Sequence, residues 1–293
     1  MDSVVILIAA PGSRAIDEAV KKALAELTSA QPGWLCENEA LQASVGAATF
    51  PGLAAELQRL VKDLPIDIAL VPAQNRRKRL LIADMDSTMI GQECIDELGA
   101  LADVGERIKE ITARAMRGEL DFEAALKARL QLMKGLPEEA IAKVLEERIT
   151  FTPGGRTLIA TMKAHGAYAA LVSGGFVQFT SYVAQKLCFD EDRANELLIA
   201  EGRLTGGVRE PILGQDAKVR ALDEITARLG ITVADAVAVG DGANDIPMLR
   251  KAGLGVALHA KPKVQEQVSV RINHGDLTAL LYLQGYGVNE FAA

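Results

Sequence analysis

Aromatic residues make up only 4% of this 293-residue chain, and it has three histidines and three cysteines. So few rings leave no stacking platform for single-stranded nucleic acid. His165, His259 and His274 do not cluster, so neither a zinc site nor a Ser-His-Asp triad can be assembled from neighbouring residues. Cys36, Cys94 and Cys188 lie far apart and form no CxxC pair, which predicts free thiols in a reducing cytoplasm. Positive charge is also short. The net charge is −7 and the pI about 5.2, which excludes nucleic acid and anionic membrane as expected partners. No apolar run approaches the roughly 18 residues of a membrane span. The opening run, residues 4–8, is short and has no basic leader, so it reads as a first strand rather than a signal peptide. There is no Gly-Lys-Ser/Thr, hence no P-loop, and no internal repeat or low-complexity tract.

What remains is an ordinary globular composition, 49% apolar and 24% charged, long enough for one large or two modest domains. Residues 1–73 read as a small α/β unit. Strand-like segments at 4–9 and 66–71 bracket helical patterns at 17–27 and 53–61, with one or two weaker strands within 34–50. The order β-α-β-β-α-β predicts a ferredoxin-like sandwich. The basic stretch Arg76-Arg77-Lys78-Arg79 reads as a solvated linker with a charged strand entry, given the acidity of the whole. From residue 80 onward, short apolar runs at 80–83, 168–172, 236–239, 254–258 and 268–272 alternate with helical stretches. That is the layout of a doubly wound parallel sheet, with its site at the carboxyl ends of the strands. The gap between the first two runs is too long for one crossover. Residues from about 90 to 150 carry helical patterns at 94–101, 105–116, 122–133 and 137–148, predicting a helical cap inserted over the site. A small hairpin is expected at 202–208, and a last helix near 277–283.

Four turns carry the chemistry. Asp84-Met85-Asp86-Ser87-Thr88 follows the first apolar run. Side chains two apart on an extended chain face one way, so both carboxylates can point into one site, one to attack phosphorus and one to move a proton. Ser173-Gly174-Gly175 follows the second run; small residues there let backbone N–H groups approach an anion. Lys218 opens a helical stretch, where an ammonium can meet a phosphate. Gly240-Asp241-Gly242-Ala243-Asn244-Asp245 follows the third run and gathers oxygen ligands suited to Mg²⁺. Its Gly-x-Gly lacks the third glycine of a dinucleotide loop, and its carboxylates would repel a pyrophosphate. Each turn alone also suits a plain strand end or a solvated lysine. All four in this order are specific.

Jointly, over about residues 79–285, these motifs resemble the haloacid dehalogenase-like (HAD) phosphatase superfamily and, within it, the phosphoserine phosphatase family. P-type ATPases carry Lys and Thr after the nucleophile, where this chain has Met85 and Asp86. The resemblance implies a HAD-like core at 79–293 with its cap at about 90–150, and an ACT-like regulatory or oligomerisation domain at 1–73. It implies Asp84 as nucleophile and Asp86 as acid and base, with Asp84, Asp241 and the backbone carbonyl of Asp86 as ligands of Mg²⁺. Ser173, Gly174 and Lys218, with Asn244, would hold phosphate or substrate. Glu93 would take the substrate ammonium and Arg129 its carboxylate. Phe122 and Met116 would line the lid, Ser87 would offer a backbone N–H near the phosphate, and Asp245 would orient Lys218 or a water, with Thr88 alongside. The activity implied is Mg²⁺-dependent hydrolysis of O-phospho-L-serine, the last step of serine biosynthesis. The alternatives are a phosphatase or phosphotransferase for phosphohomoserine or phosphoethanolamine and, remotely, a non-catalytic amino-acid sensor. The ligand turn of the N-terminal unit is poor (Ala10-Pro11-Gly12), and its effector stays open. Oligomeric state also stays open, a homodimer being one option.

Overall fold

The computed structural model describes residues 2–46, 50–116 and 119–292; the side chains of Phe50, Pro51 and Met116 fall outside the description. Met116, expected at the lid, is therefore not placed.

The N-terminal unit runs β1 (Ser3–Ala9), α1 (Glu18–Thr28), β2 (Gly33–Cys36), β3 (Ala40–Val45), α2 (Phe50–Leu60) and β4 (Ile66–Pro72). Its sheet has the order β2-β3-β1-β4, with β1 antiparallel to both neighbours. This is the expected sandwich, and residues 34–50 supply two strands. Asp17 starts α1 by accepting the Val20 N–H at 2.9 Å, a side-chain cap. β1 has almost no polar face because both its faces are covered. Val5, Leu7 and Ala9 pack with Val20, Leu24, Leu53 and Leu57 of the two helices. Val4, Ile6 and Ile8 share a second core with Ile272, Leu280 and Tyr282 of the larger unit.

The larger unit begins with β5 (Leu80–Ala83), fully buried. The insertion follows as α3 (Cys94–Leu101), α4 (Gly105–Met116), α5 (Phe122–Leu132) and α6 (Glu139–Glu147). Its two ends meet in an antiparallel bridge between Ile90 and Phe151. Then come α7 (Gly155–Ala164), β6 (Tyr168–Phe176), α8 (Val177–Leu187), β7 (Glu191–Asn195), the hairpin β8 (Leu197–Ala200) and β9 (Arg203–Val208), and α9 (Gln215–Leu229). The last elements are β10 (Ala236–Gly240), α10 (Ile246–Lys251), β11 (Leu254–Leu258), α11 (Pro262–Gln265), β12 (Val270–Ile272) and α12 (Ala279–Leu283). The main sheet is parallel throughout, in the order β12-β11-β10-β5-β6-β7. Strand order reverses between β5 and β10, and the crevice at their carboxyl ends is where such sheets bind ligands. Among the described residues no helix is long and apolar enough to cross a membrane.

Two expectations change. The Ser173-Gly174-Gly175 segment is not a turn: β6 continues through it to Phe176, with a register shift against β7 between Val172 and Phe176. The strand β7 was not anticipated. Its sequence, Glu191-Asp192-Arg193-Ala194-Asn195, is polar because it forms a sheet edge. There Tyr168 and Arg193 bond Glu191, while Thr180 bonds Asp192.

Candidate active site

Asp84 leaves the carboxyl end of β5 with its N–H bonded to the Val239 carbonyl of β10 at 3.0 Å, which holds the acidic turn against the neighbouring strand. Ser87 then adopts a left-handed φ of 54°. This conformation is costly for a residue with a Cβ and is typical of functional turns. It lets the N–H groups of Thr88, Met89 and Ile90 all converge on the Met85 carbonyl.

Three buried carboxylates, Asp84, Asp241 and Asp245, bring oxygens within 4.8 Å of one another. One buried ammonium answers them: Lys218 Nζ lies 2.6 Å from Asp84 and 2.5 Å from Asp245. Burial works against the charge of Lys218, but Asp245 and Asp84 outweigh it and hold its pKa above the ordinary lysine value. Burial, with Asp245 beside it, drives Asp84 well above the usual carboxylate range. Asp241 is also raised, mainly by burial; the half-exposed Lys261, 3.5 Å away, offsets this in part. Thr88 Oγ1 approaches Asp241 at 3.4 Å, and Asp245 accepts the Gly242 N–H at 2.9 Å. Lys218 thus pairs with Asp84 and Asp245, and Lys261 with the third carboxylate of the cluster. Its oxygen-only donors suit a hard divalent cation. The side chain of Asp86 is not a member of this group.

Asp86 is partly buried, and its Oδ1 accepts the Cys94 N–H at 3.1 Å. Burial, then Glu93, raises its pKa to about 7. Gly175 lies tightly beside it: a Cβ there would sit 2.8 Å from Asp86 Oδ2 and 3.1 Å from Ser173 Oγ. Ser173, buried, accepts the Gly175 N–H at 2.9 Å. From the insertion, Glu93 accepts the Ser87 hydroxyl at 2.9 Å. Arg129 donates to the Ala125 carbonyl and Thr112 Oγ1; burial lowers its pKa against the opposing charges of Asp96 and Glu93. Phe122 reaches across from α5: Cβ atoms built on Gly174 and Gly214 would lie 3.4 and 3.6 Å from its ring. Asn244 folds its amide back against Gly242.

The structure thus gathers Asp84, Asp86, Ser173, Gly174, Lys218, Asp241 and Asp245 at the strand-order reversal, with Glu93 and Phe122 above them. A matching family model, haloacid dehalogenase-like hydrolase, covers residues 81–250. The chain belongs to the haloacid dehalogenase-like hydrolase family. It is 43% identical over 250 residues to a phosphoserine phosphatase of Streptomyces coelicolor, an alignment covering 85% of this chain and 60% of that relative. It is 42% identical over 227 residues to the phosphoserine phosphatase of Haemophilus influenzae, covering 77% of this chain and 72% of the relative. Among solved structures, a HAD family hydrolase of Salmonella enterica subsp. enterica serovar Typhi superimposes with a TM-score of 0.85 at 32% identity, covering 96% of this chain and 98% of that one. That match includes the N-terminal unit.

Two site residues had no signal in the sequence. Lys261 follows no motif, yet pairs with Asp241 and donates its N–H to the Asp241 carbonyl at 3.2 Å. Asn195, which donates to the Gly174 carbonyl at 2.9 Å, sits in the polar run of β7, which hydrophobic periodicity cannot detect.

Proposed function

We propose that the chain hydrolyses O-phospho-L-serine to L-serine and phosphate through an acyl phosphate on Asp84. The observation that carries the reading is the contact of Asp84 with Lys218 at 2.6 Å at the end of β5, beside a second carboxyl, Asp86, whose pKa is about 7. The phosphoserine phosphatases among its relatives supply the substrate.

In this reading an Asp84 oxygen attacks phosphorus while the bond from phosphorus to the serine oxygen breaks. Protonated Asp86 gives its proton to that leaving oxygen. A water then attacks the phosphorus of the acyl phosphate, Asp86 takes the proton of that water, and phosphate leaves with Asp84 restored. Lys218, Ser173 and backbone N–H groups near Asp86 and Gly174 hold the phosphate oxygens, where charge spreads in the transition state, while the expected Ser87 N–H is taken by the Gln92 carbonyl at 3.2 Å. We assign Mg²⁺ to Asp84, Asp241 and the Asp86 carbonyl; when bound, it offsets the repulsion between a carboxylate nucleophile and a phosphate dianion. Asp245 orients Lys218. Glu93 recognises the ammonium of the substrate and Arg129 its carboxylate, under a lid that Phe122 lines, and Asn244 touches the substrate or its phosphate. Residues 1–73 we read as an ACT-like regulatory or oligomerisation unit. Free thiols at Cys36, Cys94 and Cys188 favour a cytoplasmic enzyme.

Phosphate release from L-phosphoserine, phosphohomoserine and phosphoethanolamine, each with Mg²⁺ and with EDTA, tests the reading. Metal-dependent release strongly favouring phosphoserine supports it, because phosphoethanolamine offers Arg129 no carboxylate. Equal release from all three would remove the roles given to Glu93 and Arg129.

A further inference from the structure

Ser173 and Lys218 come from different elements, the end of β6 and the first turn of α9, and nothing in the catalytic reading explains what keeps them in register. Asn195, the last residue of β7, touches both supports. It is 2% exposed. Its Nδ2 donates to the Gly174 carbonyl at 2.9 Å and to the Leu213 carbonyl at 3.2 Å, and its Oδ1 accepts the Leu213 N–H at 2.7 Å. Both amide hydrogens and the oxygen are therefore spent on the backbone of two segments.

Each grip has a geometric consequence. In a trans peptide the C=O and N–H point in opposite directions. Holding the Gly174 carbonyl turns the N–H of the same peptide, that of Gly175, onto Ser173 Oγ at 2.9 Å. An oxygen that accepts there keeps its own O–H to donate, and the space beside it is the one shared with Asp86 across Gly175. On the other side, gripping Leu213 by both N–H and C=O imitates one rung of a strand ladder. Leu213 directly precedes Gly214, the N-terminal cap of α9, and Lys218 lies one turn further on. One buried amide thus bears on the direction of a hydroxyl donor beside Asp86 and on the position of an ammonium on Asp84.

We propose that Asn195 is a positioning residue for the phosphate group: it aligns Ser173 and Lys218 as a pair and has no part in recognising the rest of the substrate. The proposal rests on the phosphoserine reading given above. It predicts a split between the two halves of the substrate. Replacing Asn195 should weaken binding of inorganic phosphate and lower kcat, and leave affinity for L-serine, which has no phosphate, unchanged.

The test uses the full chain with Mg²⁺: wild type, Asn195→Ala and Asn195→Asp. The Asp variant keeps the acceptor for Leu213 and loses the donors to both carbonyls. Inorganic phosphate affinity is read by calorimetry, with kcat, and inhibition by L-serine, from phosphoserine turnover. The expected result is a loss of phosphate affinity and of kcat of about tenfold to 10²-fold, the scale of a misplacement near 1 Å, with serine inhibition unchanged. A folded variant with wild-type phosphate affinity and kcat overturns the proposal, even if its melting temperature falls. So does failure of both variants to fold, which would make Asn195 a residue of folding alone. If wild type binds phosphate but does not turn over phosphoserine, the substrate reading fails, and the calorimetric comparison alone still decides on Asn195.

Discussion

The Lys218 ammonium pairs with two buried carboxylates, Asp84 and Asp245, and breaking such a group costs more than the group contributes intact. Lys218→Met should therefore lower stability by about 3–5 kcal/mol in metal-free protein, as well as ending turnover; denaturant unfolding in EDTA would measure the first. Asp84→Asn should abolish turnover while the fold persists. Asp86→Asn should retain divalent-cation binding and slow both half-reactions, by about 10²–10⁴-fold, since general acid–base catalysis contributes that much. Single-turnover kinetics with isotopically labelled substrate would separate the two steps. That these residues meet at one crevice was legible in the sequence because the aspartates follow apolar strand runs at fixed spacing. Asn195 and Lys261 were not legible, since the groups they bond, the backbone of Gly174 and Leu213 and the carboxylate of Asp241, are distant in sequence and only the fold brings them near.

Among the elements, β5 and β11 match their apolar runs residue for residue, because a central parallel strand buries both faces and has no polar alternation to blur its ends. The helices α3 and α4 of the insertion were equally readable. β7 was hidden by the same physics in reverse: its edge position allows charged side chains. The glycines of β6 suggest a turn by their sequence, but they form a strand that must pass close to Asp86. Gly175→Ala would put a Cβ 2.8 Å from Asp86 Oδ2, so the strand or the carboxylate must shift. We expect kcat to fall by about 10²-fold with far-UV circular dichroism unchanged.

At the scale of the whole molecule, the N-terminal unit is tied to the catalytic one by polar as well as apolar contacts. Asp67 of β4 accepts N–H bonds from Asn273, His274 and Gly275 at 2.8–2.9 Å. Arg76 bonds Gln42 on one side and the carbonyls of Tyr282 and Leu283 on the other, and Tyr282 donates to Glu39. Of the basic run, Arg76 bridges the two units, while Arg77 and Lys78 bond Glu290, Gln284 and Ala234 of the larger one. The run's sequence showed the charge but not the acceptors, most of which are main-chain carbonyls or neutral amides. Asp67→Ala would strand these N–H donors at an interior boundary, at a cost of about 3 kcal/mol. Calorimetric unfolding should then show the N-terminal unit melting separately from the catalytic unit, and a single unchanged transition would contradict the docking described.

The most direct test of the central claim is to mix the protein with Mg²⁺ and phosphate-labelled L-phosphoserine, quench in acid within a turnover, and map the labelled peptide. Label is expected on Asp84, absent in Asp84→Asn and in EDTA. Label on another residue, or full phosphate release with no labelled protein at any quench time, would contradict it.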